Sequence, residues 1–173
     1  MPNSIPKVSL LASMLVLLSA CGFHLQAELV LPDEMVQTRL EIQNPYSPFA
    51  RRLLIMLEQK GIQVVESGLK AAVLEVPVNE VRKEILTIGD NARVREYRVR
   101  HTVTFRLLNG EGETLVPVHT LEQSRVISFD EQDILAAAQE EEFLRQNMAD
   151  TLSRLLIRHL GQQRSDAQRV SKS

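Results

Sequence analysis

A chain of 173 residues has room for one domain of ordinary size with short appendages. Its 44% hydrophobic and 24% charged residues are the mixture of a foldable protein and exclude a disordered one. A formal net charge of -2, 4% aromatic residues and no Trp exclude a global pull toward nucleic acid and leave little for a base-stacking surface.

The first residues carry the sharpest signal. Lys7 supplies a positive charge, and Val8 to Leu18 form an apolar run broken only by small Ser and Ala. That run is shorter than the roughly 20 residues of a spanning helix, and it has the length of a secretory h-region. Leu18-Ser19-Ala20-Cys21 follow and look like a lipobox. The small side chains of Ser19 and Ala20 let the backbone enter a signal peptidase, and Cys21 supplies the thiol to be acylated. Residues 1–20 are therefore expected to be a lipoprotein signal peptide, and 21–35 a lipidated N-terminus and linker. Cys21 is the sole cysteine, so no internal disulfide can form. Gly22 stands where Asp would commonly retain a lipoprotein at the inner membrane, which points to the outer one. Nothing later in the chain is apolar and long enough to span, so the expectation is a protein anchored to a membrane and facing the periplasm.

Residues 36–160 read as one α+β domain. Val36 to Ile42 predicts a strand with Val36, Thr38, Leu40 and Ile42 on one face. Ser47 is a good N-cap, Pro48 suits the first helical position, and Gly61 lies just past the helix end. Between them Phe49, Leu53, Met56, Leu57 and Lys60 share a face, and Ile62 to Val65 add a short strand. Ala71 to Ile88, Ala92 to Leu108 and Thr114 to Phe129 are longer extended segments, the first with Leu74, Val76 and Val78 in alternation and a charged middle of Glu80, Arg82 and Glu84. In the second, Tyr97, Val99, His101, Val103, Phe105 and Leu107 alternate with polar residues. Asn109-Gly110-Glu111-Gly112 predicts a hairpin with Leu108 opposite Glu113, hence Phe105 opposite Val116 and Val103 opposite Val118. Asp130 is an N-cap for the last helix, with Phe129 and Ile134 as a hydrophobic staple. Leu144, Met148, Leu152, Leu155, Leu156 and Leu160 form its apolar stripe, with Leu152 and Leu155 expected in the core. The tail, 161–173, reads as polar and disordered. The expected architecture is two helices on one face of a mixed, about four-stranded sheet.

A search for catalytic chemistry returns little. No nucleophile elbow, no Ser–Lys pair at a helix start and no phosphate-cradling glycine loop occurs. The expected hairpin register puts His101 and His119 on opposite faces, against a shared metal. Glu140-Glu141-Glu142 spreads around a helix as a solvated face. The expectation is no enzyme, no metal and no cofactor beyond the covalent lipid on Cys21.

One charged feature stands apart. Arg93, Arg95, Arg98, Arg100 and Arg106 crowd one strand, beside Arg82, Lys83 and Arg125. By period two, Arg98, Arg100 and Arg106 share a face, with Leu121 and Pro117 expected across the hairpin. Such a strand is either a sheet face kept soluble by charge or a site for an anionic amphipathic ligand. In the second reading, guanidinium groups would take phosphates and apolar neighbours acyl chains.

Several blocks, in order, resemble the lipopolysaccharide-assembly lipoprotein family LptE. They are Cys21-Gly22-Phe23-His24-Leu25, Leu31-Pro32, Arg95-Glu96-Tyr97 leading to Phe105-Arg106-Leu107, and Ser124 to Asp130 with Leu135-Ala136. Glu140 to Leu144 and Leu155 to Leu160 complete them. The resemblance implies a two-helix, four-stranded sandwich that plugs the LptD outer-membrane β-barrel, assists its folding and binds lipopolysaccharide, without enzymatic activity. It makes Arg93, Arg95, Arg98, Arg100 and Arg106 candidates for lipopolysaccharide contact. In relatives a second basic region lies near the start of the last helix; here Leu135-Ala136-Ala137-Ala138 carries no positive charge. The alternative is another periplasm-facing lipoprotein adaptor of an envelope machine.

Overall fold

The computed structural model describes residues 30–68, 70–89, 94–128 and 134–170, with 164–170 given by backbone alone. Residues 1–29, Arg93 and the Phe129–Asp130 staple and cap lie outside the described residues. A 3₁₀ turn at Asp33–Val36 leads into β1 (Gln37–Ile42), then α1 (Pro48–Gln59) and β2 (Gln63–Val64). The long strands β3 (Ala72–Ile88), β4 (Val94–Leu108) and β5 (Thr114–Ser128) follow, and α2 (Ile134–Val170) closes the order. The sheet has five strands in the order β2-β1-β3-β4-β5. β1 is parallel to both of its neighbours and β3, β4 and β5 are antiparallel. The expected mixed sheet is present, widened by β2.

Local chemistry explains α1. Ser47 Oγ accepts the Ala50 N–H at 3.1 Å, and proline follows the cap where its missing N–H costs nothing. Gly61, at φ 79°, ends the helix in a conformation that L side chains avoid. Phe49, Leu53 and Leu57 are fully buried, and α1 serves as the crossover that parallel β1 and β2 require. Val36 departs from expectation. It belongs to the 3₁₀ turn and is exposed, while Thr38 takes the inward position and its Oγ1 donates to the Met35 carbonyl at 2.7 Å.

Strand phase is set by bulges that alternation alone does not reveal. In β3, Leu74 and Val76 face the core, but the register shifts between Glu75 and Val78. Pro77 sits in that gap without an N–H for the ladder, so Asn79 rather than Val78 turns inward. The β4–β5 hairpin also differs from expectation: Leu108 faces Thr114, Leu107 faces Val116, Phe105 faces His119 and Val103 faces Leu121. Two causes are visible. Asn109 Oδ1 accepts the N–H groups of Glu111 and Glu113 at 2.9 and 2.8 Å, fixing a wider turn with Gly112 at φ 86°. Pro117 then falls where the register slips again. Val118 is left exposed, and His119 and Leu121 take the core side.

Both helices cover one face of the sheet. Met148, Leu152, Leu156 and Leu160 of α2 are buried with Ala149 and Ile157, whereas Leu155 is only half-buried. An ion pair from Arg52 to Asp150, at 2.5 Å, ties α1 to α2. The helix passes through a buried Gly161 and continues to Val170, where a disordered tail was expected. Gln162, Gln163 and Arg164 are good helix formers, and a packed glycine interrupts a helix at a cost of only ~1 kcal/mol.

A buried polar chain crosses this core. His101 Nε2 meets Asn79 Oδ1 at 2.9 Å, and Asn79 Nδ2 donates to Ser47 Oγ at 2.8 Å. Because the amide donates to Ser47, the imidazole N–H is the donor to Asn79 Oδ1, and Nδ1 is a buried lone pair with no partner. Phe49 lies edge-on at 5.8 Å. Burial lowers the His101 pKa from its ordinary value to about 4. The unfolded chain therefore binds a proton first, so stability is full above about pH 6.5 and is lost as pH falls toward 4. At about 1.4 kcal/mol per unit the loss is on the order of 3 kcal/mol. Urea midpoints at pH 7 and pH 4.5 should show it, and His101→Gln should flatten that slope whatever it does to baseline stability. An unchanged slope would place the titration elsewhere.

Candidate functional site

β4 presents its even-numbered residues on the sheet face that no helix covers. Arg98, Arg100 and Arg106 share that face, as the period-two reading predicts, but each meets a carboxylate. Arg106 Nε donates to Glu75 at 2.6 Å, and Arg100 Nη1 to Glu122 at 2.7 Å. Arg98 and Arg100 both approach Glu84, at 4.0 and 3.5 Å. On β3, Arg82 pairs with Glu80 at 2.9 Å. The hydrogen bonds that Arg82, Arg100 and Arg106 donate to Glu80, Glu122 and Glu75 raise the pKa values of these arginines. This face is a balanced ladder of both signs rather than a bare cationic strip. Sequence reasoning marked Glu80 and Glu84 as part of a charged middle of β3 but did not place them beside the β4 arginines, which needs the strand register. Leu121, expected beside these arginines, lies on the opposite face against Val103. Pro117 is exposed at the bulge, apart from the ladder.

Past Asn79 the sheet outruns its core, and its far end differs in character. Ile85, Ile88 and Val126 are 57%, 60% and 52% exposed, and Ile134, Leu135 and Phe143 on the first turns of α2 are 62%, 72% and 66% exposed. A small second cluster of Val99, Ile127 and Met148, with Leu144, supports this end from inside. Arg95 enters it exposed and with no carboxylate partner among the described residues. Lys83 crosses to α2, donating to Glu141 at 2.6 Å with its ammonium 4.1 Å from the Tyr97 ring centroid. Burial alone would raise the Glu141 pKa, but hydrogen bonds from Lys83 and Arg145 outweigh it and leave the carboxyl lowered. The far end thus combines guanidinium groups with exposed branched side chains, which suits an amphipathic anion.

His119 corrects a second expectation. It lies on the same face as His101, with its ring stacked on His159 of α2 at 4.0 Å, and Phe105 stands edge-on to both rings. Among the described residues no three His, Cys, Asp or Glu side chains are grouped to hold a metal. No helix among them is long and apolar enough to cross a membrane.

This two-helix, mixed-sheet fold recurs in solved lipoproteins. A minor lipoprotein of Acinetobacter baumannii matches with TM-score 0.62 and 24% identity, over 75% of this chain and 93% of that one. Lipoprotein B of Nitrosomonas europaea matches with TM-score 0.65 and 23% identity, over 79% and 88%. The fold class is that of these small lipoproteins. The model of the LptE family, lipopolysaccharide-assembly, matches residues 36–160, and the chain belongs to that family. Its role is accordingly in lipopolysaccharide assembly. Curated relatives include the LPS-assembly lipoproteins LptE of Yersinia enterocolitica and Photorhabdus laumondii. The first is 27% identical over 87% of this chain and 73% of its own length, the second 26% identical over 88% and 84%.

Proposed function

We infer that the protein is an outer-membrane lipoprotein held by acyl chains on Cys21. In this reading it plugs and helps assemble the LptD β-barrel and binds lipopolysaccharide on its way to the outer leaflet. It does no covalent chemistry. The observation that carries the ligand part is the far end of the sheet, where Arg98 pairs across the uncovered face with exposed Val126, exposed Ile88 pairs with Val94, and Arg95 stands exposed at the register shift between them. Lipopolysaccharide offers phosphates next to acyl chains, and this end offers the complementary pair of chemistries. Arg100 and Arg106, already engaged by Glu122 and Glu75, serve the ladder first.

The structure selects the variant to make. Reversing Arg98 and Arg100 would crowd new carboxylates against Glu84 and Glu122 and disturb the fold itself. Arg95→Glu combined with Ile88→Asp leaves the ladder intact. This double variant should weaken lipopolysaccharide binding by more than the ~0–1 kcal/mol of a surface ion pair, with the defect growing at low salt. Wild-type binding by a folded double variant would remove the far end as the ligand site.

A further inference from the structure

A pair of imidazoles lies apart from both the charge ladder and the far end of the sheet. His119 reaches it from β5, because the slip at Pro117 turns that residue to the helix-covered side. His159 reaches it from α2, just before Gly161, and the two rings stack at 4.0 Å with 19° between their planes. Fully buried Phe105 stands edge-on to them, at 5.8 and 5.6 Å, and forms the inner wall. Both histidines are half-buried. Among the described residues their contacts are these ring contacts, so no nitrogen of either ring is taken by a hydrogen bond. None of those nitrogens is sealed from solvent, in contrast to Nδ1 of His101.

Two unpaired imidazoles held side by side on separate elements can act as a bidentate chelate. Neutral imidazole suits copper, nickel and zinc, with copper(II) bound most tightly of the three. The spacing also discriminates among them. With metal–nitrogen bonds of about 2.0 Å, two imidazoles at a right angle place their ring centroids about 4.5 Å apart, and at the tetrahedral angle about 5.1 Å apart. From the observed 4.0 Å, the first arrangement needs the rings to tilt open by about half an ångström and the second by about twice that. The broad terminal torsion of a histidine supplies the smaller movement readily. Right-angle coordination belongs to square-planar copper(II) or nickel(II), and the tetrahedral angle to zinc.

We propose that His119 and His159 form a bidentate site for a square-planar divalent cation, copper(II) before all, with water completing the coordination. Among the described residues no third His, Cys, Asp or Glu side chain is grouped with them, so the ion is exchangeable. Bound there, it ties the second half of α2 to the edge strand β5, and by binding only the folded chain it stabilises that state. The site needs neither the barrel nor lipopolysaccharide and stands apart from the proposed function.

Titration of copper(II) into the mature, detergent-solubilised chain tests it, at about pH 7.5, where an imidazole of ordinary pKa is neutral. Electron paramagnetic resonance should show a square-planar signal split by two imidazole nitrogens, and copper should raise the thermal midpoint more than zinc does. His119→Gln and His159→Gln, made separately, should each lose the two-nitrogen signal and the copper-dependent rise. Either variant suffices if its circular dichroism matches the wild type, since both positions are half-exposed. A two-nitrogen signal that persists in a folded variant would move the copper elsewhere, such as to His24, and overturn the proposal. Absence of that signal from the unsubstituted chain would do the same, and a larger rise with zinc would overturn the square-planar assignment.

Discussion

Leu152→Asp should leave no folded domain. Leu152 is fully buried on α2 within the one large core, beside Phe49 and Leu53 of α1 and Phe105 and Leu107 of β4. A carboxylate there would sit in a cluster of buried apolar side chains, and burying it unpaired costs several kcal/mol, or forces it to bind a proton. Stripping the leucine side chain adds the loss of its packing, of the order of 2–5 kcal/mol. Against a total of about 5–15 kcal/mol for a domain, the combined loss removes most or all of the stability. Leu135→Asp is the matched control, because Leu135 is 72% exposed on the same helix. Thermal melts by circular dichroism should show a cooperative transition for Leu135→Asp and none for Leu152→Asp. A well-folded Leu152→Asp protein would mean that the covered face of α2 is not the one described.

Cys21→Ala should have an equally large effect on placement and almost none on folding. Without the thiol there is nothing to acylate, and the lipoprotein peptidase has no modified substrate, so the precursor should keep residues 1–20. Each buried CH₂ of an acyl chain contributes about 0.8 kcal/mol to membrane binding, and several chains together make the anchor stable. Losing them should shift the protein out of the outer-membrane fraction. The core should survive, since Cys21 precedes every described element. Mass spectrometry of the purified chain reads both events at once. A variant with the mass and fractionation of the wild type would end the lipoprotein reading of Cys21.

The elements themselves were legible in the sequence because each has a local cause. Ser47-Pro48 and Gly61 bound α1 by capping chemistry, and the strict alternation of β4 put Val99, His101, Val103, Phe105 and Leu107 inside. What was not legible depended on bulges. Pro77 and Pro117 interrupt their ladders, and each slip turns the following residues over, which moved Asn79 and His119 to the core side. The candidate site was half legible for a similar reason. The arginines of β4 are visible in one segment, whereas Glu84, Glu122 and Glu75, which neutralise them, come from neighbouring strands and require the register to be known. The extension of α2 beyond Gly161 was hidden because a tail without apolar period carries no amphipathic signal, only propensity.

Affinity purification of the lipidated, tagged chain from detergent-solubilised outer membrane tests the proposed role most directly. LptD should co-purify in comparable amount, survive stringent washing, and be lost with Leu152→Asp but kept with Leu135→Asp. A folded, outer-membrane-localised chain that purifies without LptD would contradict the barrel-plug account.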